Sequence, residues 1–189
     1  MTYFPIPQKP RSTRGNGEVN SPSFAIPPDS LEAWHQHLRV HNIEISATDH
    51  LSGAARMQVC ATDGETITLI ERADNRRPWT GSDLPNEIAI RGLYSAVLQV
   101  ADAGPTGDLL RFMGYQEGDA ESAMQQFFIP QNSGANTLDI VEAPSAPSAT
   151  QGAGSVHRIA FSVRTDAAQQ QVRHALLEAC HWRKGSRLF

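Results

Sequence analysis

The sequence predicts an α+β protein of tandem βαβββ units, paired into a barrel-like curved mixed sheet, with incomplete units at both ends. Three observations lead there. The order strand, helix, three strands occurs twice in succession, over residues 19–73 and again over 93–142. The closing strands of the two units, "TITLIE" (66–71) and "TLDIVE" (137–142), resemble each other residue by residue. Stretches rich in Pro, Gly, Ser and Ala fall between units, at 74–92 and 143–155. A unit of this kind cannot cover its own sheet face, so two of them join edge to edge around an interior.

The first unit opens on the apolar strand "SFAI" and continues into "PPDSLEAWHQHLRVH". There Asp29 reads as the helix cap, with Glu32 three residues on completing a capping box. Leu31, Trp34 and Leu38 recur at helical spacing and form the buried stripe. "IEIS", "ARMQVCA" and "TITLIE" follow as strands, the last two joined into a hairpin at Asp63-Gly64. The second unit repeats the order. "LYSAVLQV" is its first strand, and Pro105 marks the start of the helix in "GPTGDLLRFM". "GYQEGD", "SAMQQFFI" and "NTLDIVEAP" supply its remaining strands.

Partial units flank this pair. Residues 1–18, with "MTYFPIP", read as the closing strand and loop of a preceding unit. Residues 156–189 read as the start of a following one. There "VHRIAFSV" is a strand, and "TDAAQQQVRHALLEA" is a helix with Ala168, Val172, Ala175, Leu176 and Ala179 on one face.

A formal charge of -4 and a pI near 5.9 argue against a nucleic-acid partner. No apolar run is long enough to span a bilayer, and no secretory signal opens the chain, so a cytoplasmic location is expected. Cys60 and Cys180 make no disulfide framework and no CxxC knuckle, and Cys60 is expected in the core. His37 and His41 have the i,i+4 spacing of a zinc pair. With no third ligand in sight they read as solvent-side residues. "GNGEV" has two glycines of a nucleotide loop but lacks the strand and helix around it, so it is a plain loop. In "RRPW" the expectation is a packed Trp79 with Arg76 and Arg77 in solvent. Ser95 has no nucleophile-elbow context, and Tyr94 reads as a core or edge residue.

Five phrases, "TYFPIPQKPRSTRGNGEV", "FAIPPDSLEAW", "RRPWTGSDLPNEIAIRGLYSAVLQV", "NTLDIVEAP" and "GAGSVHRIAFSV", resemble the vicinal oxygen chelate superfamily. That superfamily holds glyoxalases, bleomycin-resistance proteins and extradiol dioxygenases. The likeness is strongest to its ring-cleaving dioxygenases of the hydroquinone type. It covers the chain up to Ala179; the tail "HWRKGSRLF" does not fit.

The resemblance implies oxygen-dependent opening of a small aromatic diol at Fe(II), or in some members Mn(II). Two histidines and a carboxylate hold such an ion on one face and leave three positions for the reactants. It also implies four units, with the ligands on the first strands of units one and four and on the last strand of unit four. Of these, His157 is the candidate metal ligand in this sequence. Arg158 occupies the slot proper, and a guanidinium has no lone pair for a metal. Strand alternation would turn His157 to the opposite face unless the register changed.

In the two complete units the histidine slot falls on Ser21 and Ser95, and the carboxylate slot on Thr68 and Asp139. Asp139 reads as an edge-strand residue facing water, with an inward-facing acid in a cavity as the alternative. The resemblance therefore implies an incomplete triad and no ring cleavage by this chain alone. A non-catalytic binder of planar small molecules and a subunit completed by another chain, as in a homo-oligomer, are the alternatives.

Overall fold

A computed structural model describes residues 10–182, apart from 52, 62–63, 82–83, 122, 131–134, 157, 162 and 164. The first module contains β1 (Glu18–Ile26), α1 (Leu31–Val40), β2 (Ile45–Leu51), β3 (Ala54–Cys60) and β4 (Thr66–Glu71). The second contains β5 (Gly92–Val100), α2 (Ala103–Phe112), β6 (Gln116–Glu121), β7 (Met124–Phe128) and β8 (Thr137–Glu142). A third helix, α3 (Asp166–Trp182), follows. The eight strands form one mixed sheet in the order β2-β3-β4-β1-β5-β8-β7-β6. Each module is thus a four-stranded half, and β1 and β5 form the seam.

The seam has two-fold pseudo-symmetry, visible in its register. Pro22 lies opposite Ala96, with Ser21 opposite Val97 and Ser23 opposite Ser95. Exchanging the modules maps each of these pairs onto the other. The ladder slips at two equivalent places, leaving Asn20 in β1 and Tyr94 in β5 without opposite residues. Such bulges bend a strand and re-aim side chains. The alternation rule that turns the residue before a slot position away from it therefore fails at Asn20 and Tyr94.

Both helices lie on one face of the sheet. Trp34 and Leu38 of α1 pack on Ile26, Met57, Val59 and Leu69, with Leu31 partly buried beside them. Leu110 of α2 packs on Ala96, Phe127, Leu138 and Ile140. The apolar alternation of each strand feeds this face. Residues 74–92 are bound to it as well. Leu84, Ile88 and Ile90 join the first cluster, and Trp34 Nε1 donates to the Ile88 carbonyl at 2.8 Å. The second connection is held in turn by residues 10–17, through bonds such as Asn16 N to Pro147 O at 2.8 Å.

The helix starts differ from the sequence expectation. Asp29 adopts a φ of 60°, and the N-cap is Ser30, whose hydroxyl donates to Pro27 O instead of capping the helix. The Leu31 amide instead donates to the carboxylate of Glu71, the last residue of β4, at 2.8 Å. In the second module the Ala103 amide donates to Glu142, the last residue of β8, at 2.8 Å. Because β1 runs parallel to β4, and β5 to β8, each closing strand ends beside the start of its module's helix. A carboxylate there meets unpaired N–H groups and the positive end of the helix dipole. At α2 the side chain of Asp102 also caps, accepting from Gly104 N, and Pro105 is the third helical residue rather than the first.

Beyond the second module the described residues of the expected strand "VHRIAFSV" form no strand. Val156 makes a single bridge to Val19, and the described residues 158–161 and 163 carry no strand. β1 and β5 are each flanked on both sides already, which leaves this segment little free edge to extend. α3 forms as expected, but of its apolar stripe Val172 is exposed while Ala168, Ala175 and Leu176 are half-buried. Among the described residues no helix is long and apolar enough to cross a membrane.

Replacing Glu71 or Glu142 by Ala is expected to destabilise the protein by about 1 kcal/mol each, the usual worth of a helix cap. The two losses should add, since the sites share no partner. Urea unfolding of the two single variants and the double variant checks this.

Candidate functional site

The face of the sheet turned away from the helices is polar at its centre. On β1, Ser21 and Ser23 are buried, as are Thr68 on β4, Ser95 on β5, and Thr137 and Asp139 on β8. β3 and β7 add Gln58, opposite Thr68, and Gln126, opposite Asp139. Module exchange maps Ser21 onto Ser95, Thr68 onto Asp139 and Gln58 onto Gln126. The four slot positions read from the sequence therefore share one face, on the four adjacent central strands β4, β1, β5 and β8. The family's ligand pattern, laid on this chain, found the centre of the interior but not a metal triad.

The two halves satisfy their polar groups differently. In the first module the Ser21 and Thr68 hydroxyls bond each other at 2.9 Å. In the second, Asp139 takes the place of Thr68. Its Oδ1 accepts from Gln126 Nε2 at 3.3 Å, while its Oδ2 has no partner among the described residues. The expectation of a water-facing edge aspartate is wrong. β8 lies between β5 and β7, and Asp139 is 1% exposed.

Burial pushes the Asp139 carboxyl above its ordinary range. Bonds from Gln126 and Ser95 and the charges of Arg56 and Arg72 oppose that shift without cancelling it. Both arginines belong to the first module's half, so the interior brings cations of one half to the acid of the other. Arg56 is paired with Asp49, whose carboxyl its guanidinium holds below the usual range. Arg72 lies over the ring of Tyr94, 5.5 Å from its centroid, and its Nε has no partner among the described residues. The bulge in β5 accounts for this position of Tyr94, which the sequence left as a core or edge residue.

The remaining sequence candidates fall elsewhere. His157 lies outside the described residues. The His37 and His41 rings lie tilted at 56° with centroids 4.5 Å apart on α1, and among the described residues no group of three His, Cys, Asp or Glu is placed to hold a metal. Cys60 is half-buried at the end of β3, not in the core. The "RRPW" expectation is overturned for Trp79 and Arg76, while Arg77 is exposed as expected. Trp79 is 57% exposed, whereas Arg76 grips Asp74 and donates to the Leu93 carbonyl at 3.0 Å. Asp74 lies below the ordinary carboxylate range because of that bond. Gly15, in the "GNGEV" loop, is needed for close approach, since a Cβ there would meet Pro147 O at 2.1 Å.

An iron triad does not fit this interior. Two serines, a threonine and one aspartate offer no imidazole, and Ser21 and Thr68 are already committed to each other.

The raised Asp139 carboxyl sets a pH dependence. Its folded value exceeds its unfolded one, so its contribution to stability is full below the ordinary carboxylate range and is lost as pH rises through the folded value. Asp139→Asn is therefore expected to be more stable than the parent at neutral pH. That advantage should shrink as pH falls toward the ordinary carboxylate range. Urea midpoints of both proteins across pH check the sign.

No family model matches the chain. Among curated proteins, two from Bacillus subtilis (strain 168), MhqO and MhqA, provisionally named ring-cleaving dioxygenases, are each 25% identical to it. The alignments cover 88% of this chain and 53% and 56% of theirs. The chlorohydroquinone/hydroquinone 1,2-dioxygenase of Sphingobium indicum is also 25% identical, over 86% of this chain and 53% of its own. The chain thus spans about half the length of the curated relatives it matches. Among solved structures, a Bacillus subtilis protein titled provisionally as a dioxygenase superposes with a TM-score of 0.86 at 22% identity. It matches 93% of this chain and 56% of that one. Maize glyoxalase I superposes at 0.51 with 15% identity, over 78% of this chain and 49% of its own, and shares the fold alone. In its paired βαβββ modules and in the relatives it matches, the chain resembles the vicinal oxygen chelate superfamily.

Proposed function

We propose that the chain serves the oxygen-dependent opening of hydroquinone- or catechol-type rings, and that its two complete modules are a part of that machinery which holds no metal. The relatives named for this chemistry support the first half, each at 25% identity. One observation carries the second half. The four interior positions that correspond to ligand slots are Ser21, Thr68, Ser95 and Asp139, and they lack the two imidazoles that a facial iron site requires.

On this reading the ion, Fe(II) or in some relatives Mn(II), is bound by donors outside the two modules, and the aromatic diol is oxidised there. His157 is the candidate ligand this chain would offer. The modules then supply a rigid body. Both helix starts are tied to strand ends by Glu71 and Glu142, and both connections are fastened to the sheet or its neighbours.

The test is anaerobic loading with Fe(II), metal analysis after desalting, and oxygen uptake with a panel of hydroquinones and catechols. The expected result is well under one iron per chain and no uptake above the metal-free control. One iron per chain with ring opening, abolished by Asp139→Ala but retained by His157→Ala, would place the metal inside the modules and contradict the proposal.

A further inference from the structure

We propose that His37 and His41, at the end of α1, form a surface site for one copper(II) ion, with water filling its remaining positions. The site lies on the helix-covered side of the sheet, apart from the interior slot positions, and stands whether or not the ring-cleavage reading does. The two residues are one helical turn apart, and the His41 amide donates to the His37 carbonyl at 3.3 Å. Their ring centroids are 4.5 Å apart, with the planes inclined at 56°.

That separation is what a single ion requires of two imidazoles. Metal–nitrogen bonds of about 2.0–2.1 Å meeting at a right angle set the two ring centres about 4.5 Å apart. A tetrahedral angle would part them to about 5 Å. The spacing therefore suits the tetragonal geometry of copper(II) better than the tetrahedral geometry of zinc. Zinc also asks for three or four protein ligands, and no such group is placed among the described residues. Copper(II) heads the affinity order of the first-row divalent ions, far above Fe(II), so ferrous loading leaves this pair largely empty.

The surroundings hold the pair in position. Trp34 meets His37 edge-on, with centroids 5.8 Å apart and planes at 81°. Trp34 is itself buried and is anchored through Nε1 to the Ile88 carbonyl at 2.8 Å. One ring is thus fixed against the core, while His41 is exposed and open to an ion with its waters. Among the described residues no hydrogen bond or ion pair occupies either imidazole. Both residues belong to the end of the helix, where unpaired carbonyls and the negative end of the dipole favour a cation. Counted along the helices, their equivalents in the second module are Leu109 of α2 and its C-cap Met113. The repeated fold itself therefore does not call for imidazoles here.

The test is titration of copper(II) into the full chain by equilibrium dialysis against glycine as a weak competitor, with electron paramagnetic resonance of the bound ion. His37→Gln, His41→Gln and the same-helix control His35→Gln are treated alike. The expected result is one tightest copper(II) per chain, with nitrogen couplings from two imidazoles. His37→Gln and His41→Gln should each weaken it at least about tenfold, since even losing a group that supports a metal ligand costs about that much. His35→Gln should bind as the parent does, and zinc should bind the parent at least about tenfold more weakly than copper(II). Circular dichroism confirms folding, and the exposed position of His41 makes its variant the decisive one if His37→Gln disturbs Trp34. No saturable site, a spectrum without two imidazoles, a folded His41→Gln that binds like the parent, a loss as large in His35→Gln, or zinc binding as tight as copper(II) would overturn the proposal.

Discussion

The antiparallel seam between β1 and β5 is the constraint on which the rest of the structure depends. It joins two four-stranded halves into one sheet and sets their two-fold relation about Pro22 and Ala96. A proline in a central strand removes a ladder donor. Pro22 is accommodated because the pairing of β1 with β4 begins only at Ser23. Without the seam, β1 and β5 would each be bare edges, and Ser21, Ser95 and Asp139 would lie at separate margins rather than in one interior. The bulges at Asn20 and Tyr94 belong to the same seam, and the second of them accounts for the stacking of Tyr94 with Arg72.

The two faces of the sheet have different tasks. The helix face carries the hydrophobic stabilisation, with Trp34, Leu38, Leu110, Phe127 and Ile140 all buried. Burying such side chains contributes roughly 1.5–3 kcal/mol apiece. The opposite face places hydroxyls, amides and one carboxylate where apolar groups would pack more favourably. Asp139 is the plainest case, since burial raises its carboxyl and one of its oxygens is unmet among the described residues. Residues that cost stability at the centre of a fold are where function is to be sought. The sheet margins are protected more simply. β2 is exposed along most of its length and β6 is built from "QEGDAE", so neither edge offers an apolar template.

Much of this was legible in the sequence. The matching of "TITLIE" with "TLDIVE" gave the module repeat, and each of the strands in the two complete modules formed near its expected place. The ligand slots, carried over by resemblance, converge as a group because the repeat itself guarantees equivalent positions. What escaped the sequence depends on contacts between distant segments. Glu71 and Glu142 looked like ordinary strand ends, and only the parallel pairing with β1 and β5 brings them to helix starts 40 and 39 residues away in the chain. Their recurrence at the same place in both repeats was the available signal. Asp139 was misjudged because a single aspartate gives no sign of whether its strand is central or marginal. Trp79 was misjudged because Arg76, rather than the indole, anchors that turn to Asp74 and Leu93. The strand expected at "VHRIAFSV" had the right composition, but among the described residues it meets β1 only at Val19.

A module pair joined by one seam must behave as a single cooperative body, because each half relies on the other to cover its interior. Native-state hydrogen exchange resolves this most directly. The seam amides of β1 and β5 should exchange as slowly as those of Leu69 and Ile140, in one global opening shared by both modules. Fast exchange along the seam, with the two modules opening at separate free energies, would show that the halves are independent and would contradict the account.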